Sequence, residues 1–244
     1  MKRIAKSALW TLGALVLLLV AVESLVFILT LRSQRKAEAL LREVRGLSVG
    51  ESSEEDVLSI VRRYGGENGS TASGYCSAIG GETHSVGVSN NFLNRLGVKM
   101  PLLRPFGNPF WRVNATFVIQ NGLLCFASYD YEGFLGDGDW SVSADVYSRQ
   151  SFPKYPDAPE AYEILAGTFR HDRSFRTTVT PDATAEQREH AFDLDLSCIT
   201  RFGECRQPCE LMPSVWLDDQ RIARERGLSL PSDEINDPRC KKLP

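Results

Sequence analysis

Histidine is scarce in this chain: His84, His171 and His190 are the only three among 244 residues. None lies in an H-E-x-x-H, H-x-H or G-x-S-x-G context. A histidine-ligated zinc centre or a nucleophile–histidine pair therefore has no sequence support. His190 follows Glu186 and Glu189 on a short predicted helix, where a cation near the carboxyl end is favourable. Glycine-rich phosphate loops, a dinucleotide fingerprint and paired catalytic acids are also missing, so no cofactor is expected and an enzyme is unsupported. Basic charge is not in excess. The 28 Lys and Arg face 31 Asp and Glu, a formal net charge of -3, which argues against nucleic acid as a partner. There is no internal repeat or low-complexity tract, and 43% hydrophobic residues exclude a disordered chain.

Charged residues are almost absent from one segment. Residues 8–31 (ALWTLGALVLLLVAVESLVFILTL) hold a single ionisable side chain, Glu23. As a helix the run spans roughly 36 Å at about 1.5 Å per residue, more than the ~30 Å hydrocarbon core. It is predicted to be a transmembrane helix, with the lipid bilayer as its partner. A cleaved secretory signal is the competing reading. Signal cores are usually about 7–15 residues, and no A-x-A site follows Leu31. Glu23 is either a functional intramembrane carboxylate or a protonated or helix-paired one. Residues 1–45 carry a net +5 and the rest of the chain -8, as in a membrane anchor bearing a solvated domain.

No cysteine precedes Cys76. All six (Cys76, Cys125, Cys198, Cys205, Cys209 and Cys240) follow the apolar run, and an even number there favours an oxidising compartment. Basic residues flank both ends of the run, so the cysteines decide orientation: amino terminus inside, body outside. The expected location is a single-pass cytoplasmic (inner) membrane protein of the cell envelope with a periplasmic, extracytoplasmic domain. Only Cys205-x3-Cys209 approaches a zinc knuckle, and three intervening residues do not make a thioredoxin-type motif. Disulfides are expected instead. Two would join Cys198, Cys205, Cys209 and Cys240, and Cys76 would pair with Cys125 if their strands are neighbours.

The body divides into a juxtamembrane helix over 32–46, an α+β domain over 47–150 and a cysteine-containing part over 151–244 that can pack on the same domain. A basic tail, 1–7, precedes the span. Ser52 and Glu55 fit a capping box, Val57, Ile60, Val61 and Tyr64 recur at helical spacing, and Gly65-Gly66 ends the helix. Arg112–Gln120, Asn121-Gly122 and Leu123–Tyr129 form a predicted hairpin with a type I′ turn. Weaker strands are expected near Ser73–Ala78, Thr83–Ser89, Trp140–Tyr147 and Phe175–Val179. Residues 162–166 are a short apolar stretch. Thr180-Pro181-Asp182 is expected to open a short helix running to His190, and 192–196 alternates with strand period. A last helix follows Pro213 and ends at Gly227, but it shows no clean apolar stripe.

The segment Leu47-Ser48-Val49-Gly50-Glu51-Ser52-Ser53-Glu54-Glu55-Asp56-Val57, leading into a helix and antiparallel strands, resembles the start of the SmpA/BamE-like outer-membrane assembly lipoprotein domain. The resemblance covers residues 38–132 and implies an α+β arrangement. This chain lacks a lipobox cysteine near residue 20 and continues for over 100 residues beyond the likeness.

Residues 130–139 place four acids in a Gly-rich turn, a set calcium could use, though the order departs from an EF-hand loop. Residues 92–111 (FLNRLGVKMPLLRPFGNPFW) are apolar and proline-rich, so they either enter the core or form a partner patch through Phe92, Leu96, Leu103, Phe106, Phe110 and Trp111. The expectation is a single transmembrane helix followed by an extracytoplasmic α+β domain with an antiparallel sheet and packed helices. It would bind another envelope protein without catalysing a reaction. The alternative is a membrane-tethered hydrolase or metal-dependent enzyme, recognisable by a polar pocket containing two or more of His84, His171, Asp137 and Asp139.

Overall fold

The computed structural model describes residues 2–72, 81–90, 111–135, 138–148, 162–169, 172–200 and 208–227. Cys76, Cys205, Cys240, His171, Asp137, the expected strand near Ser73–Ala78 and the segment 92–110 lie outside them. The fold is α+β. Helix α1 (Lys2–Arg45) and helix α2 (Glu54–Tyr64) precede seven strands: β1 (Glu67–Ala72), β2 (Gly81–Ser89), β3 (Trp111–Gln120), β4 (Leu123–Leu135), β5 (Gly138–Tyr147), β6 (Tyr162–Phe169) and β7 (Asp172–Val179). Helix α3 (Ala185–Ala191), a 3₁₀ turn (Leu196–Thr200), α4 (Pro208–Leu211) and α5 (Pro213–Arg226) complete it.

The predicted transmembrane and juxtamembrane helices are one unbroken helix. Nothing between residues 31 and 32 breaks it, since Arg32 to Val44 contain neither Gly nor Pro. Val26, Thr30, Gln34, Ala37, Leu40, Leu41 and Val44 are buried along it at three- and four-residue spacing, the stripe of a helix lying on a core. Gly46 donates to the carbonyls of Arg42 and Glu43 as the helix ends.

Helix α2 is capped one residue later than the Ser52/Glu55 pattern suggested. Ser53 Oγ accepts from the Asp56 amide, and the Asp56 carboxylate accepts from the Ser53 amide. Those hydrogen bonds hold the Asp56 carboxyl below its ordinary range. Ser52 Oγ instead accepts from the Ser48 amide in the preceding turn. Gly65 ends the helix at φ 73°, where a glycine avoids the Cβ clash.

The strands form one sheet in the order β1-β2-β3-β4-β5-β7-β6, antiparallel except for the parallel β5–β7 pair. The β3–β4 turn is as expected, with Asn121 at φ 53° and Gly122 at φ 75°. One face carries Val113, Ala115, Phe117, Tyr129, Tyr131, Val142, Ala144, Phe175 and Val179, all buried. The helices cover this face, and the main apolar core runs from Ala37 of α1 to Trp216 of α5, while Val118, Cys125 and Phe126 form a smaller buried cluster apart from it. The described parts of 47–150 and 151–244 thus share one sheet and one core.

Three local expectations are corrected. Helix α3 starts at Ala185, not at Pro181, because Thr184 and Gln187 close a reciprocal capping box while Thr180-Pro181-Asp182 forms a turn. Residues 192–196 pair with no strand. The Asp195 amide bonds the Leu211 carbonyl and Asp195 Oδ1 caps Ser197, so the backbone is satisfied without a ladder. Helix α5 does have an apolar face: Val215, Trp216 and Ala223 are buried, as is Met212 at its N-cap, and the Trp216 ring lies beside Phe175 of β7.

Candidate functional site

Two polar constellations stand out. The first is the sheet face opposite the helices. Strand registers align Gly87, Asn114, Asp130, Ser143 and Arg176 in one row across five strands. The adjacent row holds Ser85, Thr116, Ser128, Asp145 and Thr178. Asn114 Nδ2 donates to Asp130 Oδ2 at 2.7 Å. Arg176 Nε donates to Asp145 Oδ2 at 2.7 Å, and its Nη2 also contacts that oxygen. Burial pushes both aspartyl pKa values up, and the Asn114 and Arg176 donors oppose it. A Cβ at Gly87 would come 2.7 Å from Asn114 Oδ1, so the glycine leaves room for that amide over β2. The arrangement offers donors and acceptors of both signs on a rigid frame. Sequence reasoning missed it, although its signal was there: every second residue of β3, β4, β5 and β7 over this stretch is polar.

The second constellation joins α3 to α5. His190 Nδ1 lies 2.8 Å from Asp218 Oδ2, Arg221 Nη2 donates to Asp218 Oδ1 at 3.1 Å, and Glu186 Oε1 is 3.9 Å from His190 Nε2. Asp218 is buried, so two partners at its oxygens offset the desolvation of a carboxylate. Hydrogen bonding to Asp218 raises the Arg221 pKa. Beside it, Asp219 falls on the apolar face of α5, and burial alone pushes its carboxyl up to about 6. His190 lies in the last turn of α3, at the helix end where the sequence placed it, and it also pairs with Asp218 of α5.

Asp219 makes folding stability pH-dependent with a defined sign. Its folded pKa of about 6 exceeds the ordinary 3.8, so the folded state binds the proton more tightly and stability falls as pH rises between those values. Asp219→Asn is expected to stabilise the protein by about 1 kcal/mol at pH 8, after discounting for partial exposure, and to do little at pH 4. Thermal unfolding of both proteins at the two pH values checks this. Equal gains at both would refute it.

The remaining predicted residues are placed as follows. His84 is buried on the core face of β2, in register with Phe117, and neither ring nitrogen has a hydrogen-bond partner among the described residues. Its Nε2 lies 3.8 Å from Glu82 Oε2. Trp111 is 1% exposed and packs in the core, so it cannot contribute to the exposed partner patch proposed for Phe92, Leu96, Leu103, Phe106 and Phe110. Asp130 and Glu132, from the acidic turn, lie on β4, and Asp130 is engaged by Asn114. Among the described residues no group of three or more His, Cys, Asp or Glu could hold a metal ion. Cys125, Cys198 and Cys209 are disulfide-bonded, which withdraws their sulfurs from thiolate ligation.

Compared with known proteins, the chain matches no family model, no curated protein and no solved structure.

Proposed function

We propose that this protein is a single-pass inner-membrane protein that displays its α+β domain outside the cytoplasm, as a non-enzymatic binding or assembly module of the cell envelope. One observation carries the reading. A single helix has exposed apolar side chains over its first half and core side chains over its second, so it is both anchor and structural element of the domain. That coupling holds the domain at a fixed distance and orientation from the bilayer, which suits presentation of a surface more than free diffusion. The polar sheet face, where the half-exposed Arg176 lies over the buried Asp145, is the surface we assign to an envelope partner. Bonded cysteines support an oxidising compartment, and therefore a carboxyl-terminal body on the outside. Within that compartment the six cysteines would pair as two bridges among Cys198, Cys205, Cys209 and Cys240, and one between Cys76 and Cys125. The likeness of residues 38–132 to envelope assembly lipoprotein domains points in the same direction.

Two measurements test this. A reporter active only outside the membrane, fused after Pro244, is expected to be active; activity of a cytoplasm-only reporter there refutes the orientation. Cross-linking of the full-length protein in membranes is expected to capture a partner that is lost in Arg176→Glu, whose charge would oppose Asp145. Unchanged capture by that variant would remove the sheet face from the proposal.

A further inference from the structure

The helix α1 changes surroundings within two turns. Leu25, Phe27 and Ile28 are 56%, 41% and 59% exposed, while Val26 and Thr30, on the opposite side of the same turns, are 5% and 1% exposed. Thr30 Oγ1 donates to the Val26 carbonyl at 2.9 Å and accepts from Asn90 Nδ2 at 3.1 Å, and this contact is buried. Asn90 directly follows β2, so the domain reaches the helix at the level of Thr30.

That level has a position in a bilayer. About 20 residues of helix cross a hydrocarbon core of ~30 Å. Counted from Ala8, such a span ends near Phe27. Thr30 is then about 4–5 Å further out at about 1.5 Å per residue, inside a headgroup layer roughly 5–8 Å deep. The exposed apolar Leu25, Phe27 and Ile28 are favoured facing lipid, which agrees with that depth.

The rest of the fold stands away from this edge. From Thr30, beside Asn90, helix α1 continues to Arg45 and the chain then reaches the turn at Gly50, whose amide bonds the Leu124 carbonyl next to the β3–β4 hairpin. The ten residues of β3 cover about 30 Å at about 3.3 Å each. One end of the sheet is therefore near the membrane and the Asn121-Gly122 turn is far from it. The near end carries Ser89, Arg112, Glu132 and Ser141 in one register row, a polar rim of both charge signs.

From this placement we infer that the sheet end bearing Ser89 and Arg112 is a lipid-contacting surface, seated among the phospholipid headgroups. The inference rests on the membrane-anchor reading and adds a second, independent contact with the bilayer. The partner is the lipid surface itself. This polar edge suits a layer of phosphates, amines and water, and does not suit the hydrocarbon interior.

The test is photo-cross-linking of the full-length protein in vesicles of phosphatidylethanolamine and phosphatidylglycerol. A benzophenone amino acid replaces Arg112, or Ser89 as a second near-edge site, Glu51 at the far end, or Leu17 within the apolar run. Lipid adducts are counted by mass spectrometry on protein that retains its native unfolding transition. Adducts at 17, and at 112 and 89 several-fold above those at 51, are the expected result. Adducts at 17 with 112 and 89 no higher than 51 would overturn this inference and leave the anchor intact. No adducts at 17 would overturn the anchor reading, and the inference with it.

Discussion

A chain beginning at Arg32 is expected to fold, and a chain beginning at Leu47 is expected not to. The two differ by fifteen residues that an anchor would ordinarily be thought to spare. Within them Ala37 and Leu40 are fully buried and Leu41 and Val44 nearly so, all in the one core that also holds Phe117, Tyr129 and Trp216. Burying Leu40, Leu41 and Val44 at about 1.5–3 kcal/mol each amounts to roughly 5–9 kcal/mol. A domain of this size is stable by about 5–15 kcal/mol in all, so their loss removes most or all of the margin. The shorter chain also loses the Arg63–Glu43 ion pair and the Tyr64–Glu43 hydrogen bond that tie α2 to α1. Secondary-structure content and a cooperative unfolding transition, measured for both chains, decide the matter. A cooperatively folded 47–244 would show that α1 is a detachable anchor.

That coupling was half visible in the sequence. Leu40, Leu41 and Val44 share a helical face, and the apolar run before them is long enough to span a membrane. What could not be read was that the two are one helix, because the change from exposed apolar to core-facing residues leaves no Gly or Pro mark. The hairpin at Asn121-Gly122 and the stop at Gly65 were legible because they are local: each depends on backbone angles that few residue types adopt. The polar sheet face was less so. Asn114, Asp130, Asp145 and Arg176 each sit at a correct strand period, but the rows that bring them together depend on registers, including a parallel β5–β7 pairing between distant segments. His190 and Asp218 illustrate the same limit. They are 28 residues apart on two helices, and only tertiary packing makes them a pair.

The carboxyl-terminal helix shows how a polar sequence can hide a core element, and replacing its tryptophan is expected to have the other large effect. By residue type α5 looks solvated, since Asp218, Asp219, Arg221, Arg224, Glu225 and Arg226 outnumber Val215, Trp216, Leu217, Ile222 and Ala223. On the structure Trp216 is 1% exposed, its ring centroid lies 6.0 Å from that of Phe175, and Leu211, Met212 and Val215 are fully buried around the same helix. Two of the acids are on the inner side for separate reasons: Asp218 has His190 and Arg221 at its oxygens, and Asp219 tolerates burial by holding its proton more tightly. The segment is therefore held by packing as well as by its disulfides. Trp216→Ala removes a large buried ring and is expected to destabilise by about 3–5 kcal/mol. Opening a disulfide that closes a loop of about 15 residues costs about 3 kcal/mol in the chain-entropy model. Reduction opens every bridge at once, so reduced Trp216→Ala is expected to be the least stable of the four states and oxidised wild type the most stable, with the oxidised variant and the reduced wild type between them. Chemical denaturation with and without reductant measures all four states. A Trp216→Ala variant within about 1 kcal/mol of wild type when oxidised would mean that this helix is held by its covalent links alone, since ordinary surface substitutions stay within about that range.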